Sequence, residues 1–118
     1  MWFSGLPLRF GVFLLGSYRS RLDIIADILR AVSQNAKKTQ IMYQANLSYK
    51  ILTKYLSEVS RASLIIFVEE KRCYQLTDKG QRFLETYRKY SKYNRHVEER
   101  LTLIKSQRKI LEALCSSK

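Results

Sequence analysis

Only two cysteines, one histidine, one proline and four glycines occur in these 118 residues, and acidic side chains are outnumbered by basic ones, 10 to 22. Each shortage closes off a class of function. A structural zinc site needs about four Cys or His ligands; Cys73, Cys115 and His96 supply neither that number nor a ligand spacing, so no metal is expected. Two cysteines cannot form a disulfide framework, and two free thiols are the expected state, with a single bridge as the alternative. His96 lies in a charged helical run without a nucleophile at a workable spacing, so acid–base or covalent catalysis is not expected. Gly5, Gly11, Gly16 and Gly80 build no phosphate-cradling loop. Neither a cofactor nor an enzymatic activity is expected.

Long hydrophobic runs are missing too. The most apolar stretch, residues 1–16, is broken by Pro7, Arg9 and three glycines, whereas a spanning helix needs about 20 uninterrupted apolar residues. It opens with Trp2 and Phe3 rather than the basic start of a signal peptide. We read it as an apolar N-terminal extension packed on the domain or the dimer, ahead of a poorly ordered tail, an upstream-start artefact and membrane association. No membrane span is expected.

What the chain has is positive charge. A formal net charge of +12 and a pI near 10.0 point to a polyanionic partner, nucleic acid first and an anionic membrane surface second. The charge is uneven. Residues 37–62 carry five bases against one acid, residues 63–77 balance, and residues 78–118 carry eleven bases against five acids.

The basic segment 37–62 has the pattern of two helices joined by a tight turn. In Thr39–Ala45, Ile41, Met42 and Ala45 face inward; Asn46 suits the left-handed residue of the turn, and Ser48 is a good N-cap. In the next helix Leu52, Tyr55, Leu56 and Val59 recur at i, i+3, i+4 and i+7. Tyr49, Lys50, Thr53, Lys54 and Ser57 then occupy the opposite face. With Lys37, Lys38, Ser48 and Arg61 they are the expected contacts to double-stranded DNA, in a helix-turn-helix whose second helix reads the duplex.

Upstream, Leu22, Ile25, Ile28, Leu29 and Val32 mark a scaffold helix ended by Ser33-Gln34-Asn35. Downstream, Leu64–Val68 and Cys73–Thr77 read as two strands of a hairpin with Tyr74 and Leu76 inward. The intervening Glu69–Arg72 lacks the Asn-Gly or Gly-Gly of a tight hairpin, leaving the turn type open. Lys71 and Arg72 at this wing tip are expected to meet a phosphate or the minor groove.

Thr77-Asp78-Lys79-Gly80 starts a last helix with a Thr or Asp cap. Phe83, Tyr87, Tyr90, Asn94, Val97, Leu101, Ile104, Arg108, Leu111 and Cys115 follow at spacings alternating 4 and 3, a heptad seam. A second chain is the expected cover for Tyr87 to Leu111 of that seam. In a parallel, in-register coil Arg108 would face Arg108, whereas an antiparallel coil sets Leu101 against Ile104 and Val97 against Arg108, whose stem covers apolar surface.

Arg21-Leu-Asp-Ile-Ile25, the stretch Thr39–Leu56 with its centre Ile41–Tyr49, and Tyr74-Gln-Leu-Thr-Asp-Lys-Gly80 resemble the archaeal winged-helix proteins that include the ten-kilodalton, chromatin-associated class. The resemblance covers residues from about 19 to 114. It implies a dimer joined by an antiparallel coiled coil, with a DNA-binding head at each end, acting in DNA organisation or transcription. Residues 1–16 and the absence of a wing-tip glycine depart from that pattern.

The expected fold class is mostly α with a small β-hairpin: an extension (1–16), a winged helix-turn-helix (17–77) and a coiled-coil dimerisation helix (78–118). The leading expectation is a dimeric transcriptional regulator in the cytoplasm, associated with the nucleoid. A sequence-tolerant architectural protein is the alternative, and a coiled-coil interaction protein without DNA binding the third.

Overall fold

A computed structural model describes residues 19–117, so the apolar extension 1–16 lies outside the described residues. The elements run α1 (Arg21–Val32), α2 (Lys38–Ala45), α3 (Tyr49–Arg61), β1 (Ile65–Val68), β2 (Cys73–Leu76) and α4 (Asp78–Leu114). Residues to Leu84 form one compact unit and those from Glu85 a second, so the chain passes between them within α4.

Helix α1 starts at a reciprocal cap. The Ser20 hydroxyl accepts from the Asp23 N–H at 3.2 Å and the Asp23 carboxylate accepts from the Ser20 N–H at 3.0 Å, satisfying two of the donors that a helix start leaves open. Ile25, Ile28, Leu29 and Val32 are buried as their spacing requires, while Leu22 is half-buried. The helix stops at Ser33, and Asn35 follows at φ 57.

The core of the first unit is made where α1, α2, α3 and the hairpin converge. Ile28, Leu29, Val32, Ile41, Leu52, Val59 and Ile65 are its largest fully enclosed side chains, each worth roughly 1.5–3 kcal/mol of transfer free energy. Met42 and Tyr55, expected inside, are half-buried at its margin.

Strands β1 and β2 pair antiparallel, Ile65 with Leu76 and Val68 with Cys73. Arg72 donates its N–H to the Glu69 carbonyl at 3.2 Å and takes φ 53. The four-residue turn is therefore closed by a non-glycine residue in the left-handed region. Tyr74 and Leu76 pack against the core, and Cys73 is buried as well. Ala36 adds a rung on the other side of β2, exchanging hydrogen bonds with Tyr74 at 3.2 and 2.8 Å. One residue carries no periodic signal, which is why this rung is absent from the sequence pattern.

Thr77 caps α4 by accepting from the Gly80 N–H at 3.0 Å, and its hydroxyl proton is directed at the Ser63 carbonyl at 2.7 Å. Gly80 is buried where a Cβ would overlap the Leu64 carbonyl oxygen and lie 2.6 Å from Leu76 Cδ1. Glycine is needed here for close approach rather than for a turn. Phe83 and Leu84 pack on the same core. Phe83, counted in the heptad seam by spacing, therefore belongs to the first unit.

Candidate nucleic-acid interface

The turn between α2 and α3 sets the direction of α3. Asn46 ends α2 at φ 55, ψ 57, the left-handed conformation its side chain tolerates, and the Ser48 hydroxyl accepts from the Ile51 N–H at 3.2 Å. A clamp holds this turn against α1. The Arg19 guanidinium donates to Asp27 at 2.9 Å, to the Ala45 carbonyl at 2.7 Å and to the Asn46 carbonyl at 2.8 Å. It thereby satisfies carbonyls that the end of α2 leaves open, with the charge sign that a helix C-terminus favours. An arginine ahead of a helix carries no local sign of a carbonyl partner 26 residues away, so this role of Arg19 is not legible in the sequence.

Leu52, Leu56 and Val59 hold the inner face of α3. Tyr49, Lys50, Thr53, Lys54, Ser57 and Arg61 are exposed on the outside. The Lys38 ammonium sits 3.2 Å from the Tyr49 hydroxyl and 4.2 Å from the ring centre. That hydrogen bond and the lysine charge, with a smaller contribution from Thr53, hold the Tyr49 phenol below its ordinary pKa. The lysine donates, so the phenol keeps its own proton to offer a phosphate oxygen. The Thr53 hydroxyl donates to the Tyr49 carbonyl at 2.9 Å and thus faces outward as an acceptor only. Lys54 leans over the Tyr55 ring, 5.6 Å from its centre.

Ser48 acts as a cap through its oxygen, which leaves its hydroxyl proton to donate outward. Lys37 is exposed at the start of α2, where its N–H donates to Gln40 at 2.8 Å. Lys71 and Arg72 are exposed at the hairpin tip beside Glu69 and Glu70, which leaves the tip without net charge. Tyr43 on α2 is 88% exposed, the most open of the large hydrophobic side chains there, out of phase with the buried Ile41 and Ala45.

These elements follow the order helix, helix, helix, hairpin, helix, and the winged helix-turn-helix family model matches residues 18–95. The chain belongs to that family. This winged helix also superposes on the solved structure of Sso10a-2, described as a DNA-binding protein from Sulfolobus solfataricus, with a TM-score of 0.59. The two share 23% identity, and the match covers 84% of this chain and 100% of the other. No curated protein matches the winged helix significantly.

In the second unit Tyr87 is half-buried, its ring 6.1 Å from that of Tyr90. Tyr90, Asn94, Val97, Leu101, Ile104, Arg108 and Leu111 are all exposed in the single chain. Leu114, which flanks the seam, is exposed too, as are Leu103 and Ile110 on the outer side of the helix. Among the described residues no helix is long and apolar enough to cross a membrane, and no group of three or more His, Cys, Asp or Glu could hold a metal ion. The thiols of Cys73 and Cys115 are free.

Proposed function

We propose that the winged helix binds duplex DNA through the outer face of α3, with Lys37, Lys38 and the wing tip on the flanking backbone. It does so as a homodimer that organises DNA with little sequence preference. The observation that carries this reading is the composition of the α3 face. Tyr49, Lys50, Lys54 and Ser57 are suited to phosphates. Asn and Gln, which form two-pronged bonds to adenine, are absent from it, and Arg, the planar fork that matches guanine, occurs only as Arg61 in the last turn. A transcriptional regulator is the second reading, favoured by Lys50 and Lys54 standing one turn apart where either can reach guanine O6 or N7.

Support for the dimer comes from Val97, Leu101, Ile104 and Leu111, large apolar side chains left open at heptad spacing. With Leu101 facing Ile104 of an antiparallel partner, Glu98 falls beside Lys105 of that partner and the pair repeats by symmetry. A parallel coil would instead bring Arg100 towards Lys105.

Lys50→Ala with Lys54→Ala tests the reading. Both side chains are exposed, so folding is kept, and binding to duplex DNA should weaken, with a salt slope lower by about 0.9 per lost phosphate contact. A loss equal across sequences supports the organising role; a loss confined to some sequences supports the regulator. Unchanged affinity removes α3 from the interface.

A further inference from the structure

Between Glu85 and Glu98, helix α4 contains no acidic residue but has Arg88, Lys89, Lys92 and Arg95. Arg88, Lys92 and Arg95 stand at i, i+4 and i+7. At about 100° per residue they fall within an arc of about 60° and span about 10 Å of the helix axis. The same segment places Tyr87, Tyr90, Asn94 and Val97 on the opposite side, so its bases and its heptad residues are segregated. All four bases are exposed, and among the described residues none of them forms an ion pair, whereas Arg108 further along pairs with Glu112.

A solvated helix surface usually mixes its signs, because alternating Glu and Lys one turn apart support the helix. Here like charges one turn apart repel, a cost of a few tenths of a kcal/mol for each pair. We infer that the Arg88–Lys92–Arg95 strip is a second binding surface for the phosphate backbone of duplex DNA, separate from α3. Its span covers about three phosphate-to-phosphate steps of one strand, at about 3.4 Å of axis each. Two guanidinium groups at its ends suit phosphate oxygens through paired N–H donors. No side chain of the strip meets a base in this mode, so it adds affinity without sequence preference. The inference shares the ligand class of the function proposed above and rests on different residues.

The test uses the full chain with Arg88→Gln, Lys92→Gln and Arg95→Gln combined, titrated with a duplex several helical turns long over a range of salt. Helix content and oligomeric state are checked alongside, because the substituted positions lie away from the heptad seam. The salt slope should become shallower by up to about 2.7 units, about 0.9 for each contact, with affinity at low salt about tenfold weaker. Arg88→Lys with Arg95→Lys should keep most of the slope. An unchanged slope and affinity in the triple variant overturns the strip, even if the Lys50 and Lys54 variant loses binding. Conversely, loss in the triple variant with none in the α3 variant upholds the strip and overturns the reading of α3. Binding of the wild type to vesicles of anionic lipid that depends on the strip, with DNA binding untouched, would also overturn it.

Discussion

Lys38 and Tyr49 join the start of α2 to the start of α3: the ammonium lies 4.2 Å above the ring and 3.2 Å from the hydroxyl. The contact couples the two helices at the face that would meet the duplex, and it has a pH signature. Tyr49 ionises below the ordinary 10.0, so the fold favours its charged form. The resulting stability is complete above the ordinary tyrosine value and is lost as pH falls through the lowered one. Ultraviolet titration should show Tyr49 ionising below the ordinary tyrosine value, and Lys38→Met should return it towards that value. A titration that ignores Lys38 would refute the coupling.

Gly80→Ala offers a test by sign. In an exposed helix the change stabilises by about 1 kcal/mol. Here the added methyl meets the Leu64 carbonyl and Leu76 Cδ1, and overpacking of this kind costs about 1–3 kcal/mol. Denaturant unfolding should therefore show a loss. A gain would mean that the hairpin and α4 separate easily.

Arg19→Ala removes the ion pair with Asp27 and leaves the Ala45 and Asn46 carbonyls without that donor. The Arg19 side chain is 26% exposed, and hydrogen bonds of charged groups contribute about 1.5–3 kcal/mol, so a loss of about 2 kcal/mol is expected. The Asn46 and Leu47 amides should exchange faster with solvent while those of α1 change little. Equal acceleration everywhere would assign Arg19 to general stability rather than to the turn.

The wing should matter less than α3. Lys71 and Arg72 share the tip with Glu69 and Glu70, so Lys71→Ala with Arg72→Ala should reduce DNA affinity less than the Lys50 and Lys54 pair, evenly across sequences. Should the wing variant instead alter which sites are preferred, the roles assigned to wing and helix are reversed.

For the dimer, Leu101→Asp with Ile104→Asp places carboxylates at the centre of the proposed coil. Sedimentation should then report monomers, and DNA binding should weaken through lost avidity. α4 has 37 residues, about 55 Å as a helix, so an antiparallel pair sets spin labels on the two heads far apart. A short head-to-head distance, or a double variant that remains dimeric, refutes this arrangement.

The local elements were legible because their signals are local. Helix periodicity follows from 3.6 residues per turn, and it located α1 and α3 from Ile25, Ile28, Leu29, Leu52, Leu56 and Val59. Asn46 and Ser48 were readable as turn and cap because a left-handed residue and an N-cap each call for particular side chains. The exposed outer face of α3 came from the same periodicity.

Long-range partners were not legible. Arg19 reaches two carbonyls across the fold, Ala36 completes a rung on β2, Gly80 admits the hairpin against α4, and Phe83 joins the core although its spacing continues the heptads. None of these partners can be read from periodicity, since each contact depends on two segments far apart in sequence meeting at van der Waals or hydrogen-bond distance. The amino-acid order by itself determined which residues turn inward on each element and where each element is capped. Only the tertiary structure decided which backbone groups those elements satisfy in one another, because that pairing is set by packing in three dimensions and not by spacing along the chain.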